Sequence, residues 1–510
     1  MTAATSAPER QRTPRAASAV PRGAARLLRV ELRRNAMPWI LPLIAVLFWF
    51  DSYRPSTGTA ALYPLRTFWN MGQGHTIVDF GPFVAGMAAW IGSRDGRRGT
   101  SDLVTATARP RWVAQLVTWA AAAIWAVGAY LVFVGVMFGI YLHQGLGGSP
   151  PWWWVPVGAV AVAAFTAAGF AVGVFFPSRY AAPLAAFGGF LVMMLSSQTG
   201  FTDTSGWALI LPTNSNGNYE AVSGVFYRYL PDLPIARVMF LAGIAVAVLG
   251  LLGLPSGAGG PGLRRAAAVV TLAGVAAAGT AIGLASTAWR GPHGIVIPAL
   301  HDAANDRPIP YTPVCGHAGG VPVCLNPAYR RYLPDVTAAL RPLLADLAAL
   351  PGAPARATQV PGTYTSGEGE ANPVVTISGR PPVLRVPMDA LSTLPGYTGF
   401  TGRPETEAQF ADQLRALSGH AFVGAGTGAG TPAQQAVQAF LLREAGVPFA
   451  AQANVLDAGN GPGPPPGPAT GPVYAAARRL AALPPAARHA WLATHLAALR
   501  SGQLTLKDLP

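Results

Sequence analysis

Seven apolar segments fill most of the first 286 residues, at 36–53, 75–93, 112–142, 153–176, 181–200, 233–254 and 266–286. No other feature constrains the fold as strongly. A helix needs roughly 20 apolar residues to cross about 30 Å of hydrocarbon. Inside that layer no water can satisfy an open backbone, so helices or closed barrels are the only spanning forms. The first segment is short, and the third is long enough to tilt or to begin outside the bilayer. The expected fold is a polytopic α-helical membrane protein of about seven spans.

Charge then sets direction. Residues 1–287 carry 20 Lys and Arg against 9 Asp and Glu, whereas residues 288–510 carry 16 against 13. A net charge of +14 would suit a nucleic-acid binder. Here the arginines fall between apolar runs, where membrane orientation explains them and no nucleic-acid partner is expected. Basic residues are retained in cytoplasmic loops. With the N-terminus inside, 16 arginines lie in inside segments and three (Arg54, Arg66 and Arg228) in outside loops. The expected location is the cell membrane, with a cytoplasmic N-terminus and, seven being odd, residues 287–510 outside. Residues 1–35 read as a cytosolic basic tail, and the first apolar run starts too late for a signal peptide. The tail ends in an amphipathic helix near residues 24–35. Its Leu27, Leu28, Val30 and Leu32 suit the membrane interface, or the helix is simply a basic flank to the first span.

Residues 287–510 have the composition of a soluble α+β domain. Short β-like runs occur at 356–361, 373–378 and 383–387, and helical spacing at 328–350, 404–418, 432–446, 473–483 and 485–500. Residues 459–472 form a Pro/Gly-rich linker. The two cysteines, Cys315 and Cys324, are expected to form a disulfide, consistent with an oxidising compartment. With His317 between them they remain one ligand short of a structural zinc site. No HExxH or GxSxG occurs, His489 and His495 are six apart, and the glycines at 424–430 lack the GxxxxGK[ST] phosphate-loop form. No catalytic residues, cofactor or metal are expected.

Within the membrane half, Asp79 reads as a helix N-cap before Pro82, and Trp152, Trp153 and Trp154 as an interfacial belt. Gly169 and Gly173 permit close helix packing. In the long outer loop 201–232, Glu220 and Asp232 read as solvated.

One charged stretch, residues 94–112 (RDGRRGTSDLVTATARPRW), carries more than topology. Asp95 and the basic pair Arg97 and Arg98 precede Gly99-Thr100. Asp102-Leu103 and a small, proline- and arginine-containing run follow. With GMAAWIGS before it and the basic LLRVELRR ahead of the first span, this pattern resembles the permease subunits of ABC-2-type exporters, in particular a divergent group from high-GC bacteria. The resemblance covers roughly residues 24–286. It implies a helix carried by this loop, with Arg97, Arg98, Gly99, Thr100, Asp102 and Leu103 docking a cytosolic ABC ATPase, whose closure rocks paired membrane bundles in a homodimer or heterodimer. The residue types suit that role. Thr100 or Ser101 can cap the helix, Asp102 favours its positive N-terminal end, and arginines hold lipid headgroups. Two features depart from the family: it usually has six spans and no exported domain of about 220 residues, and Pro110 sits later than the family's proline.

The expected function is therefore the membrane subunit of a transporter driven by ATP hydrolysis in a partner chain. The alternative is a non-transporting sensor, immunity protein or membrane anchor for an outer binding domain, in which the loop arginines serve topology alone. A membrane-tethered outer enzyme is a third reading.

Overall fold

The computed structural model describes residues 20–48, 75–99, 110–143, 152–202, 205–211, 225–255, 261–291, 294–348, 350–361, 374–388, 391, 407–425, 430–456 and 471–510. The chain divides into a helical bundle and an α+β region, as its composition suggests.

The bundle begins with α1 (Val20–Arg34), a 3₁₀ turn (Met37–Trp39) and α2 (Leu41–Phe48). It continues through α3 (His75–Gly92), the single turn α4 (Arg94–Arg97), α5 (Arg111–His143), α6 (Trp154–Phe175) and α7 (Ala181–Thr202). A one-turn α8 (Gly206–Leu209) precedes the hairpin of α9 (Asp232–Leu251) and α10 (Pro261–Ala285). Among the described residues, four helices are long and apolar enough to cross a membrane: Arg111–Gly139, Trp154–Phe175, Asp232–Leu251 and Pro261–Ala285. The apolar stretches Phe80–Gly92 and Ala181–Ser196 are shorter. The expected first span is broken by its prolines into the 3₁₀ turn and the eight residues of α2, its remainder lying outside the described residues. The helix expected near 24–35 is α1, which packs along α5, and the Trp125 indole donates to the Leu32 carbonyl at 2.9 Å.

Small residues set the helix spacing. α3 lies against α6 and α7, and α9 against α10 and α6. A Cβ placed on Gly169 or Gly173 would strike the backbone carbonyl of Ala85 or Ala89 on α3. Gly243 of α9 and Gly274 of α10 face one another in the same way, each closed off by the other's carbonyl oxygen. Without a hydrophobic drive in lipid, such backbone contact is what gives helices van der Waals cohesion. Phe80, fully buried, fills the wider gap with Phe133 and Tyr130 edge-on at 5.2 and 6.2 Å. The outward faces stay apolar: Val132, Leu184, Leu195, Val269 and Leu272 are each more than 60% exposed. An apolar exterior on a packed bundle fits a membrane setting.

After α10 come a short antiparallel pair, β1 (Trp289–Gly291) and β2 (Gly294–Val296), and then a five-stranded mixed sheet. Its strands are β3 (Val314–Ala318), β4 (Val321–Leu325), β5 (Arg356–Gln359), β6 (Thr376–Ser378) and β7 (Val383–Val386), ordered β3-β4-β5-β7-β6. β3 and β4 form a hairpin through Gly319 and Gly320, whose φ values of 59° and 87° a two-residue turn of this hand requires. α11 (Leu333–Leu347) covers these strands and connects β4 to its parallel neighbour β5. α12 (Glu407–Val423) packs on α11, and α13 (Pro432–Glu444), α14 (Phe449–Leu456), α15 (Pro472–Ala482) and α16 (Pro485–Arg500) complete the region. Thr431 and Gln434 make a capping box on α13, and the Gln434 amide also donates to Val423 and Leu499, tying three helices together.

Cys315 and Cys324 stand directly opposite each other in the hairpin, with Cα atoms 4.1 Å apart, and are disulfide-bonded. Replacing both with serine is expected to cost about 2 kcal/mol, because the closed loop is short. A melting temperature of the full-length protein that is lower and no longer sensitive to reductant checks this.

Candidate functional site

The two ends of the bundle differ in chemistry. At one end, α3 stops at Gly92 and the chain turns through α4 to Gly99, whose φ of +65° ends the turn. Three contacts clamp this segment. Arg94 reaches back to Glu31 of α1 at 3.3 Å and to Asp95 at 3.3 Å. Arg97 lies over the Trp90 ring, 3.5 Å from its centroid, while its Nε donates to Ser93 Oγ and Nη2 to the Trp90 carbonyl, both at 3.0 Å. A Cβ on Gly96 would run into Pro177 in the α6–α7 turn. Burial pulls the Arg94 guanidinium down, but the Glu31 and Asp95 carboxylates more than offset this and hold it above its ordinary value. Burial and the neighbouring Arg98 both pull Arg97 below its own. Arg98 is exposed beside it. Thr100, Asp102 and Leu103 lie outside the described residues.

The same end gathers Arg179 from the α6–α7 turn, and Trp112, whose indole donates to the Leu249 carbonyl at 2.8 Å where α9 ends. Arg264 donates to Leu254 at 3.3 Å. Among the described residues, Arg94, Arg97, Arg98, Arg179 and Arg264 are thus brought to one end of the bundle.

At the opposite end, Asp232 and Arg237 of α9 are both fully buried. Asp232 is therefore not solvated, contrary to its sequence reading. One oxygen accepts from the Ile297 amide at 2.9 Å and from His301 Nδ1 at 3.1 Å. His301 Nε2 meets Asp306 at 3.0 Å, so the ring joins a carboxylate of the bundle to one of the α+β region. The hydrogen bond to Asp306 holds the His301 imidazolium above its ordinary 6.5, with Asp232 reinforcing it and burial opposing it. Only the cation donates from both nitrogens. Arg237 donates to the Leu209 carbonyl at 2.8 Å and lies 5.2 Å from the Trp154 ring centroid.

Comparison of the chain with protein-family models, curated proteins and solved structures finds no match. The site therefore stands on its own chemistry. Among the described residues, no three His, Cys, Asp or Glu side chains converge as metal ligands. His317 faces Pro322 across the hairpin. Asp79 is not an N-cap, because α3 starts four residues earlier, at His75.

Arg237 and His301 escape the sequence reading. Arg237 had a usable signal: an ionisable residue inside an apolar span is a functional candidate by default. His301 had none, since its partners lie 69 residues before it and five after it.

Proposed function

We propose that this chain is the membrane subunit of an ABC-2-like transporter. Its basic end faces the cytoplasm, seven segments span the cell membrane, and the α+β region lies outside. ATP is hydrolysed by a separate cytosolic ATPase docked on residues 94–111, and the subunit works as a homodimer or heterodimer. The observation that carries the reading is the clamping of the charged turn. Through Glu31, Pro177 and Trp90 it grips α1, the α6–α7 turn and α3 at once. A push delivered there would move three elements together, which a loop serving topology alone does not need. The sequence contains no nucleotide-binding GxxxxGK[ST] motif, so an external energy source fits.

The test is a pull-down of tagged full-length protein from its native membranes. A co-purifying ABC ATPase is expected, and its loss when residues 100–103 are exchanged for a Gly/Ser segment. Recovery without an ATPase, or recovery that survives the exchange, sinks the docking reading. The alternative of a non-transporting sensor draws on the Asp232–His301–Asp306 link, which ties an outer region to a membrane helix. That reading expects normal function without any ATPase.

A further inference from the structure

The basic end carries an apolar groove of about 330 Å³ between the chain following α1, α3 and α7. Ile40, Phe83, Met87, Trp90, Ala182 and Ala186 line it. From Phe83 to Trp90 it runs along two turns of helix, about 10 Å, a large part of the roughly 15 Å depth of one hydrocarbon leaflet. Its mouth is cationic. Trp90 is 44% exposed there with the Arg97 guanidinium over its ring. Arg179 and Tyr180, joined at 3.1 Å, stand just before the Ala182 wall. Arg94 has two carboxylates beside it, whereas among the described residues Arg97, Arg98 and Arg179 have no ion-pair partner.

We propose that this groove binds an anionic phospholipid, one acyl chain lying along α3 and the headgroup resting on Arg97 and Arg179. An apolar trough with the Arg97 guanidinium over its Trp90 wall and Arg179 three residues before its Ala182 wall matches the two ends of such a lipid, and basic pockets between helices at a membrane surface select anionic headgroups. Arg97 is held in place for this by its stacking and by its two hydrogen bonds to Ser93 and Trp90. A second copy of the chain fits less well, because a two-fold contact would set the same arginines against each other. The proposal rests on the membrane setting of the bundle and not on transport or on an ATPase.

Native mass spectrometry of the full-length, detergent-purified protein tests it, with phosphatidylglycerol and phosphatidylcholine of identical acyl chains titrated separately. The wild type is expected to retain phosphatidylglycerol preferentially. Arg97→Gln with Arg179→Gln should cut that preference by about 25-fold, at roughly fivefold per basic residue. Ala182→Phe should remove retention by filling the groove. Glycerol phosphate, which has no tail, should not compete. Equal retention of the two lipids, full competition by glycerol phosphate, or retention unchanged in the arginine variant overturns the proposal. So does a dimer peak in the wild type that disappears in Ala182→Phe while lipid stays bound. The arginine pair is at the surface, so that variant decides the matter if Ala182→Phe fails to fold.

Discussion

Replacing Gly169 and Gly173 together with leucine is expected to leave almost no folded protein. Each new side chain must begin where a backbone carbonyl of α3 already sits, at Ala85 and Ala89. A flexible neighbour could yield, but a helix backbone cannot without separating α3 from α6. Overpacking costs about 1–3 kcal/mol per site when side chains can adjust, and backbone obstruction puts both sites at the upper end. Two such losses, about 6 kcal/mol, exceed the lower end of a net stability of about 5–15 kcal/mol. Gly128→Leu is the control, because nothing lies within 4 Å of a Cβ at that glycine. Monodisperse recovery in detergent should collapse for the double variant and stay near wild type for the control. Equal recovery of the two would mean that α3 and α6 are not packed through these glycines.

Asp232→Ala is the second large effect. It removes the acceptor for the Ile297 amide and one of the two carboxylates that hold His301. Stranding the partners of a buried carboxylate costs about 3 kcal/mol. Asp232→Asn should cost less, because its amide oxygen still accepts from Ile297. The link also has a pH signature. The folded state raises the pKa of His301 above 6.5, so its contribution is fully present below that value and is lost as pH rises through the folded pKa. Melting temperature in one detergent should therefore fall as pH is taken up from 6.5, and His301→Gln should flatten that dependence. A slope unchanged in His301→Gln would assign it to other groups.

Local chemistry was legible from the residues; contact between distant segments was not. The runs that became α5, α6, α9 and α10 announce themselves, because apolar length alone decides a spanning helix. The helical spacing at 432–446 became α13, and its Thr431 cap is chemistry that needs only neighbours. The β-like runs at 356, 373 and 383 became β5, β6 and β7 nearly in place. The β3–β4 hairpin was hidden, because glycine and proline interrupt its alternation. Gly319-Gly320 was the turn signal that could have revealed it. Asp232 misled for a different reason. Beside Pro231 and Pro234 it looks like any acidic loop residue, and only Ile297 and His301, 65 and 69 positions away, bury it. At the candidate docking turn, the sequence supplied the arginines but not their division of labour. Arg94 pairs with Glu31 of a helix 63 residues earlier, and Arg97 stacks on its own helix.

The α+β region does not hang from the bundle by one thread. Val225 and Phe226, which precede α9, are buried in its core together with Tyr329 and Leu340. The Phe226 carbonyl accepts from Ile309 at 2.6 Å, and Asn326 donates to the Val225 carbonyl at 3.3 Å. The chain therefore enters this region twice, once ahead of α9 and again after α10. With both connections packed against it, any shift of this region relative to the bundle would load α9 and α10 together. A soluble fragment cut at residue 287 would lose one connection and leave a hole where two core side chains belong.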